Sequence, residues 1–367
     1  MVGAGQRVRR WRLWSRRALI GLALLLVLLS FLPLWQTDRW WVRQWDYPRL
    51  QVAGLLVIVG LALVATRIKR RWWLVGAVAA AMAWQVSHFL AYLPLYPKEV
   101  ATAATCPPER SLSLLNANVL LTNDDYPRLL KLVEARKPDV LLLLEPDARW
   151  AQAVAPLARD YPYRLSEPVP NTYGMILMSR LPMAGRIEHL LQAGVPSANV
   201  LLRLRGGQQV ILHALHPEPP WPGNDSGERD AELITTARKV RDAGRAAVVM
   251  GDLNDVAWSH TTRLFKDVAG MSDPRVGRGF YPTFTAKYPL LRWPLDHLFV
   301  SPHWEVVAID RLDSIGSDHF PIAFNLCLVD RAGQRQVAPS ASPETEAEAT
   351  QQVADGIAEK REEDRVE

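Results

Sequence analysis

The stretch "VVMGDLND", residues 248–255, runs from an apolar strand straight into a carboxylate, an amide and a second carboxylate. Alone it reads equally well as a turn, because Gly, Asp and Asn are turn formers. The pattern recurs along the chain. Asn118 lies near the end of "SLSLLNANVL", Glu145 follows "VLLLL", and His216 follows "QQVILHAL". Asp296 begins the strand in "PLDHLFVS", and Asp318 and His319 precede "FPIAFNLCLV". Turn chemistry would favour Gly, Pro and Ser at such places as much as Glu and His. Six strand termini of this kind, with Asn254 beside Asp252, predict one rim lined with catalytic groups. Carboxylate and amide oxygens suit a hard divalent cation. An Asp–His pair fixes the imidazole tautomer and raises its pKa.

The elements that must carry these groups are short. Apolar runs of strand length alternate with two helical patterns. In "YPRLLKLVEARK", Leu129, Leu130, Leu132 and Val133 share a face, and "ERDAELITTARKVRDAG" is amphipathic. Such runs bounded by turn signals predict an α/β or α+β layered domain over residues 109–330.

The ordered set "NANV", "LLLLEPD", "GMILMSRLP", "LHPEPP", "GDLND", "PLDHLFVS" and "GSDHFPI" resembles the endonuclease/exonuclease/phosphatase superfamily, over roughly residues 110–329. The resemblance implies a four-layered sandwich, two packed β-sheets flanked by helices, and a metal-dependent phosphoesterase. It implies Glu145 as main ligand of a Mg²⁺ ion, with Mn²⁺ as a substitute, Asn118 beside it and Asp318 helping to hold it. It implies Asp252 as the group that orients or deprotonates water and Asn254 as donor to a phosphoryl oxygen. His319, paired with Asp296, would stabilise charge or move a proton, and His216 would contact the phosphate from the other side. Asn116 lies two residues from Asn118 on the same strand face and competes for its role. In-line attack on a phosphodiester needs a positioned water, neutralised equatorial oxygens and help for the leaving alkoxide, and this set supplies all three. One departure stands out. Many nucleases of the family carry an acid two residues after the first-motif Asn, where this chain has Leu120. That weakens a second carboxylate ligand, and an abasic-site endonuclease in particular.

Before residue 97 the chain changes character. Uncharged apolar runs predict an all-α transmembrane region of three helices, at about 18–35, 48–66 and 72–96. Trp35, Trp40, Trp41, Trp72, Trp73 and Tyr96 cluster at their ends, as interfacial aromatics do. The leader, residues 1–17, holds six arginines from Arg7 to Arg17 and no acid, and "RIKRR" lies between the second and third runs. Both should face the cytoplasm. Three crossings then place the catalytic domain outside it, beyond a plasma (inner) membrane, after a linker at 97–108. Much of the basic excess in a net charge of +5 sits at the membrane, so topology explains it better than nucleic-acid affinity. Residues 331–367 lack aromatics and are expected to be a disordered tail. Cys106 and Cys327 can bridge the domain's two ends in an oxidising compartment; otherwise they are two buried thiols.

The expected partner is a phosphate-ester substrate. A nuclease is the first reading, with Arg180, Arg203, Arg205, Arg275, Arg278, Lys287 and Arg292 available for a backbone track. The alternative is a lipid (sphingomyelinase-like) or small-molecule phosphodiesterase, favoured by the anchor and by an apolar loop in "FYPTFTAKYPLLRWP". A non-catalytic binding protein should have lost rim residues, and this chain keeps the principal ones. No protein partner is legible.

Overall fold

A computed structural model describes residues 4–330 and 339–366. The chain divides into two compact units, Met1–Ala91 and Tyr92–Glu367.

The first unit is helical: α1 (Ala4–Phe31), α2 (Trp40–Arg43), α3 (Arg49–Ala65) and α4 (Arg71–Phe89). Two helical stretches among the described residues, Arg9–Leu34 and Arg71–Tyr92, are long and apolar enough to cross a membrane. The second expected span, 48–66, falls on a bent pair, Trp40–Asp46 and Arg49–Ala65, meeting at 72°. At 1.5 Å per residue the 17 residues of α3 reach about 26 Å, a little less than the usual hydrocarbon thickness. Ala23, Leu26, Val52, Leu56, Val59, Leu63, Val78 and Ala81 pack together, while Leu24, Leu28, Ile58 and Leu61 point outward. Gln85, the polar intruder in the third run, accepts from Arg49 at 3.1 Å, and Arg49 pairs with Asp46 at 2.5 Å.

The second unit begins with Tyr92. Its strands and helices run β1 (Ser111–Asn118), α5 (Tyr126–Arg136), β2 (Val140–Leu144), α6 (Ala148–Val154), β3 (Tyr163–Glu167), β4 (Met175–Ser179), β5 (Met183–His189), β6 (Pro196–Arg203), β7 (Gln209–Leu215), α7 (Gly227–Ala243), β8 (Ala247–Asp252), α8 (His260–Ala269), β9 (Asp296–Val300), β10 (Trp304–Arg311), β11 (Ile322–Leu328) and α9 (Pro343–Val366). Six strands form one sheet, ordered β10-β11-β1-β2-β4-β3, and five form the other, β5-β6-β7-β8-β9. The expected sandwich of two packed sheets with helices outside is therefore the fold. Val140, Leu142 and Leu144 of β2 face Val248 and Met250 of β8 across the central core, while Leu141 and Leu143 face α5 and α6. Strands buried on both faces read as unbroken apolar runs, which explains "VLLLL" and "AVVM".

Each sheet holds one parallel pair, β1–β2 and β7–β8, and the other pairs are antiparallel. This layout builds the rim. Asn118, Glu145, His216 and Asp252 lie at the carboxyl ends of those four strands. β9 runs antiparallel to β8, so its first residue, Asp296, pairs with Asp252. β11 starts opposite Asn116 of β1, so the preceding His319 reaches the same end.

Two expected boundaries shift. The residues read as a linker, 97–108, belong to the domain: Val100 is in the inter-sheet core, and Ala101 and Ala103 bond Val306 through the backbone at 2.9 Å. The third span was expected to reach residue 96, yet the Tyr92 hydroxyl is buried in the second unit and donates to the Ala257 carbonyl at 2.7 Å. The expected disordered tail is in part ordered. Residues 343–366 form α9, and Ala349 is buried against α7 and α8; residues 331–338 lie outside the described residues.

Cys106 and Cys327 are disulfide-bonded, Cα–Cα 5.6 Å, across 221 residues of sequence. Closing so long a loop typically contributes about 2–4 kcal/mol, or about 5–15 °C in Tm for a domain of this size. Reductant should lower Tm by that amount, and Cys327→Ser should abolish the sensitivity to reductant.

Glu232, 3 % exposed, accepts from the Leu191 and Gln192 amides at 3.1 and 3.4 Å. Burial pushes its carboxyl up to about 7. A raised carboxyl favours the protonated fold, so its contribution is fully present below about pH 4.5 and is lost as pH rises through about 7. Glu232→Gln keeps the acceptor oxygen and drops the charge. It should stabilise the domain at pH 8 by on the order of 2–3 kcal/mol and leave stability at pH 4 unchanged, read by denaturant titration at both pH values.

Candidate active site

The penultimate residue of β8 is Gly251. Its φ is +147°, and any Cβ there would collide with the Leu215 carbonyl of β7, so only glycine lets the two strands end side by side. Beyond it Asn254 has φ +49°, and across the rim Leu120 and Glu145 each have φ +62°. Asn tolerates this region; for Leu and Glu the conformation costs about 1–3 kcal/mol each. Strain of this kind clusters at functional sites.

The side chains meet around Asp252. Asn118 Nδ2 donates to Glu145 Oε1 at 2.8 Å and to Asp252 Oδ2 at 3.3 Å, and Asn118 Oδ1 accepts from the Leu120 amide at 3.1 Å. His319 lies between two carboxylates: Nδ1 to Asp296 Oδ2 is 2.8 Å and Nε2 to Asp252 Oδ2 is 3.4 Å. Asn116 Nδ2 donates to the other oxygen of Asp296 at 2.9 Å. Asn116 and Asn118 thus both face the site, one behind the histidine and one beside the glutamate. Burial alone would lower the His319 pKa, but Asp296 and Asp252 outweigh it and hold the imidazole up at about 10. Asp252 Oδ1 also accepts from the Asn254 amide at 2.9 Å, and Asn254 Nδ2 donates to the Pro217 carbonyl at 2.9 Å. His216 is buried, 6.0 Å from the Tyr173 ring, and its Nδ1 has no hydrogen-bond partner among the described residues. Asp318 is half-buried; its carboxylate accepts from Ser317 Oγ at 3.4 Å and helps raise His319.

The donor set fits a hard cation. Burial raises the Glu145 carboxyl against the pull of His216, Asn118 and His319, with Asp252 adding to the rise. A divalent ion beside Glu145 would relieve that excess of buried carboxylate. Asp252, Asp296 and His319 also present ligand atoms all within 4.8 Å of one another.

Behind these groups stands a buried layer that no motif marked. Arg275, fully buried, pairs with Asp273 at 2.8 Å, donates to the Asp296 carbonyl at 3.2 Å and contacts His297 Nδ1 at 2.7 Å. Burial and Arg275 lower His297 to about 3, so it is neutral; its Nε2 bonds the Asp255 carbonyl at 2.9 Å. The Phe284 ring lies 4.8 Å from that of His319. Isolated Arg and Phe residues carry no sequence signal for such roles. Tyr173, whose hydroxyl is pushed up by burial and by Glu218, adds a rim group beside His216.

Residues 115–319, more than half of the chain, match the endonuclease/exonuclease/phosphatase family. The chain belongs to this family. No curated protein matches it. Solved structures similar to this family member include an endonuclease/exonuclease/phosphatase from Beutenbergia cavernae DSM 12333, at 22% identity over 60% of this chain and 72% of that one, TM-score 0.49. The human nocturnin catalytic domain with bound sulfate is 17% identical over 61% and 96%, TM-score 0.49. Sphingomyelinase C from Streptomyces griseocarneus is 18% identical over 59% and 99%, TM-score 0.43. The family match spans all eight expected site residues, and leaves out the N-terminal helices and α9.

Proposed function

We propose that this chain is a membrane-anchored, divalent-metal-dependent phosphoesterase that hydrolyses phosphodiester bonds outside the cytoplasm. The observation that carries the reading is the shared use of Asp252: one oxygen faces both the Asn118–Glu145 pair and the His319–Asp296 pair. Asp252 would orient the attacking water and take its proton. His319, held protonated by two carboxylates, would neutralise charge developing on the phosphoryl group. Asn254 and the buried His216 would bind phosphoryl oxygens. Glu145, with Asn118 and Asp318, would hold Mg²⁺ or Mn²⁺, which when bound supplies a Lewis acid for the phosphoryl oxygens and the leaving alkoxide.

For the substrate class, two surface features bear on the choice between nucleic acid and lipid. A nuclease needs a basic track. Of the seven basic residues open to that role, Arg275 is buried on Asp273, Arg278 bonds the Pro274 and Val100 carbonyls, Arg205 pairs with Asp139, Arg180 bonds the Lys137 carbonyl and Arg292 those of Thr285 and Ala286, which leaves Arg203 and Lys287 exposed. Against this, Tyr288, Leu290 and Leu291 are 62 %, 85 % and 46 % exposed on the loop between Phe284 and Trp293, whose rings stack 6.0 Å apart. An exposed apolar tip rooted beside His319 favours a lipid head group as substrate, with nucleic acid as the second reading. The test is a panel offered to the full chain in nanodiscs with Mg²⁺: vesicles of sphingomyelin or phosphatidylcholine, single- and double-stranded DNA, RNA, and soluble bis(p-nitrophenyl) phosphate. Cleavage of a lipid diester, lost in Leu290→Asp while the soluble diester is still cleaved, supports the lipid reading. Cleavage of nucleic acid alone replaces it, and no hydrolysis of any diester rejects the enzyme.

The arginine-rich leader and the disulfide both support a domain outside the cytoplasm. A periplasm-dependent phosphatase reporter at the C-terminus should be active; an inactive but expressed fusion would reverse the orientation.

A further inference from the structure

We propose that the C-terminal helix is a working part of the hydrolytic site. Gln352 of α9 and the buried Asp230–Arg229 pair of α7 are positioning residues that hold the Asn254 carbonyl, and with it the Asp252–Asn254 loop. The activity arm of this proposal rests on the phosphoesterase reading.

α9 packs tightly for a segment so polar. A Cβ at Gly356 would strike the Gly227 carbonyl and the Ala231 Cβ, so the two helices touch backbone to backbone there. The half-exposed pairs along the contact, such as Arg238–Glu346 at 3.6 Å, contribute little to holding it. The buried polar centre differs. Asp230 is 2 % exposed, and its Oδ2 accepts from Ser226 Oγ, Thr261 Oγ1 and Gln352 Nε2, each at 3.1 Å. Its Oδ1 takes Arg229 Nε at 2.8 Å and Nη2 at 2.7 Å. Arg229, also 2 % exposed, donates from Nη1 to the Asn254 carbonyl at 2.7 Å, with Nη2 3.7 Å from Asp255 Oδ2. The Asn254 amide in turn donates to Asp252.

A continuous path therefore runs Gln352–Asp230–Arg229–Asn254–Asp252, every link a hydrogen bond or ion pair. It ends on a loop held in a left-handed conformation at Asn254. A planar guanidinium can grip Asp230 and the Asn254 carbonyl at once, which a lysine ammonium cannot do with the same geometry. Lifting α9 would remove one donor from Asp230 and admit water to the pair. The loop would then be free to drift, and shifts of about 1 Å at reacting groups can cost about 100-fold in rate.

The test uses the full chain in nanodiscs with Mn²⁺ and soluble bis(p-nitrophenyl) phosphate, well below Tm. Gln352→Ala and Gly356→Leu, the second wedging α9 away without touching Asp230, should each lower kcat about 5–10-fold with KM unchanged; Arg229→Lys should cost about 50-fold. The Arg229→Lys/Gln352→Ala double variant should match Arg229→Lys alone, because both act through one path. Amide exchange over residues 253–256 should speed up in all four. Unchanged kcat in Gln352→Ala and Gly356→Leu, additive losses in the double variant, or unchanged exchange at 253–256 would each overturn the proposal. Should the parent chain cleave no diester, the phosphoesterase reading fails, and the exchange arm still decides the positioning claim.

Discussion

Asp252→Ala is expected to lower kcat on a soluble phosphodiester by about 10³-fold or more, with KM nearly unchanged. The size follows from position. Asp252 touches the Asn118 amide, His319 and the Asn254 backbone at once. Removing it takes away the proposed base and releases the contacts that align three neighbours. Asp252→Asn separates the two effects: it keeps the shape and one acceptor oxygen but cannot take a proton. If water activation is its work, both variants fall alike. If Asp252→Asn keeps more than about a tenth of the activity, the residue only organises the site and another group is the base.

Asp296→Asn should cost about 10²–10³-fold in kcat while leaving the fold intact. Asp296 holds His319 Nδ1 at 2.8 Å and is itself fixed by Asn116 and, through its carbonyl, by Arg275. An amide can occupy the same space, but it cannot compensate an imidazolium. His319 would lose the largest influence that raises its pKa, with Asp252 left as a weaker partner. His319→Ala should cost as much, and the His319→Ala/Asp296→Asn double variant little more than either, since the two act as a unit. Additive losses would mean separate roles. A ¹⁵N-imidazole spectrum at neutral pH offers a direct check, with His319 protonated in the parent and shifted toward the neutral form in Asp296→Asn.

The rim was legible in the sequence because its positions carry two coincident signals. The strands beneath are buried on both faces and read as apolar runs, so a polar residue at their ends stands out. Asn118, Glu145, His216 and Asp252 are all of this kind, and antiparallel pairing explains how Asp296 and His319, at strand starts, join them. The edge strands β3, β5 and β10 stand out far less in the sequence. There one face and one side meet water, and the sequence turns mixed, as in "YRLSE" and "MAGRIEH". α9 was hidden by a different cause. It docks through Ala349, Val353 and Gly356, a short seam of apolar and close-approach residues in an otherwise polar helix. Residues 97–108 resemble a linker in sequence because most of what holds them comes from far along the chain: the Cys106–Cys327 disulfide, the Glu99–Lys266 pair, Arg278 on the Val100 carbonyl and the backbone bonds to Val306. Arg275 shows a further limit: its ion pair with Asp273 is local, but its contacts to the Asp296 carbonyl and His297 lie about twenty residues on and leave no local pattern.

In the proposed reaction a cation at Glu145 and the residues around Asp252 act together on a phosphodiester. The most direct measurement is hydrolysis of bis(p-nitrophenyl) phosphate by the full chain stripped with chelator and then titrated with Mg²⁺ or Mn²⁺, beside Glu145→Gln. The parent should be silent when stripped and recover with added metal, while Glu145→Gln should need far more metal or stay silent. Undiminished hydrolysis by the stripped chain, or a Glu145→Gln titration identical to the parent's, would contradict the account.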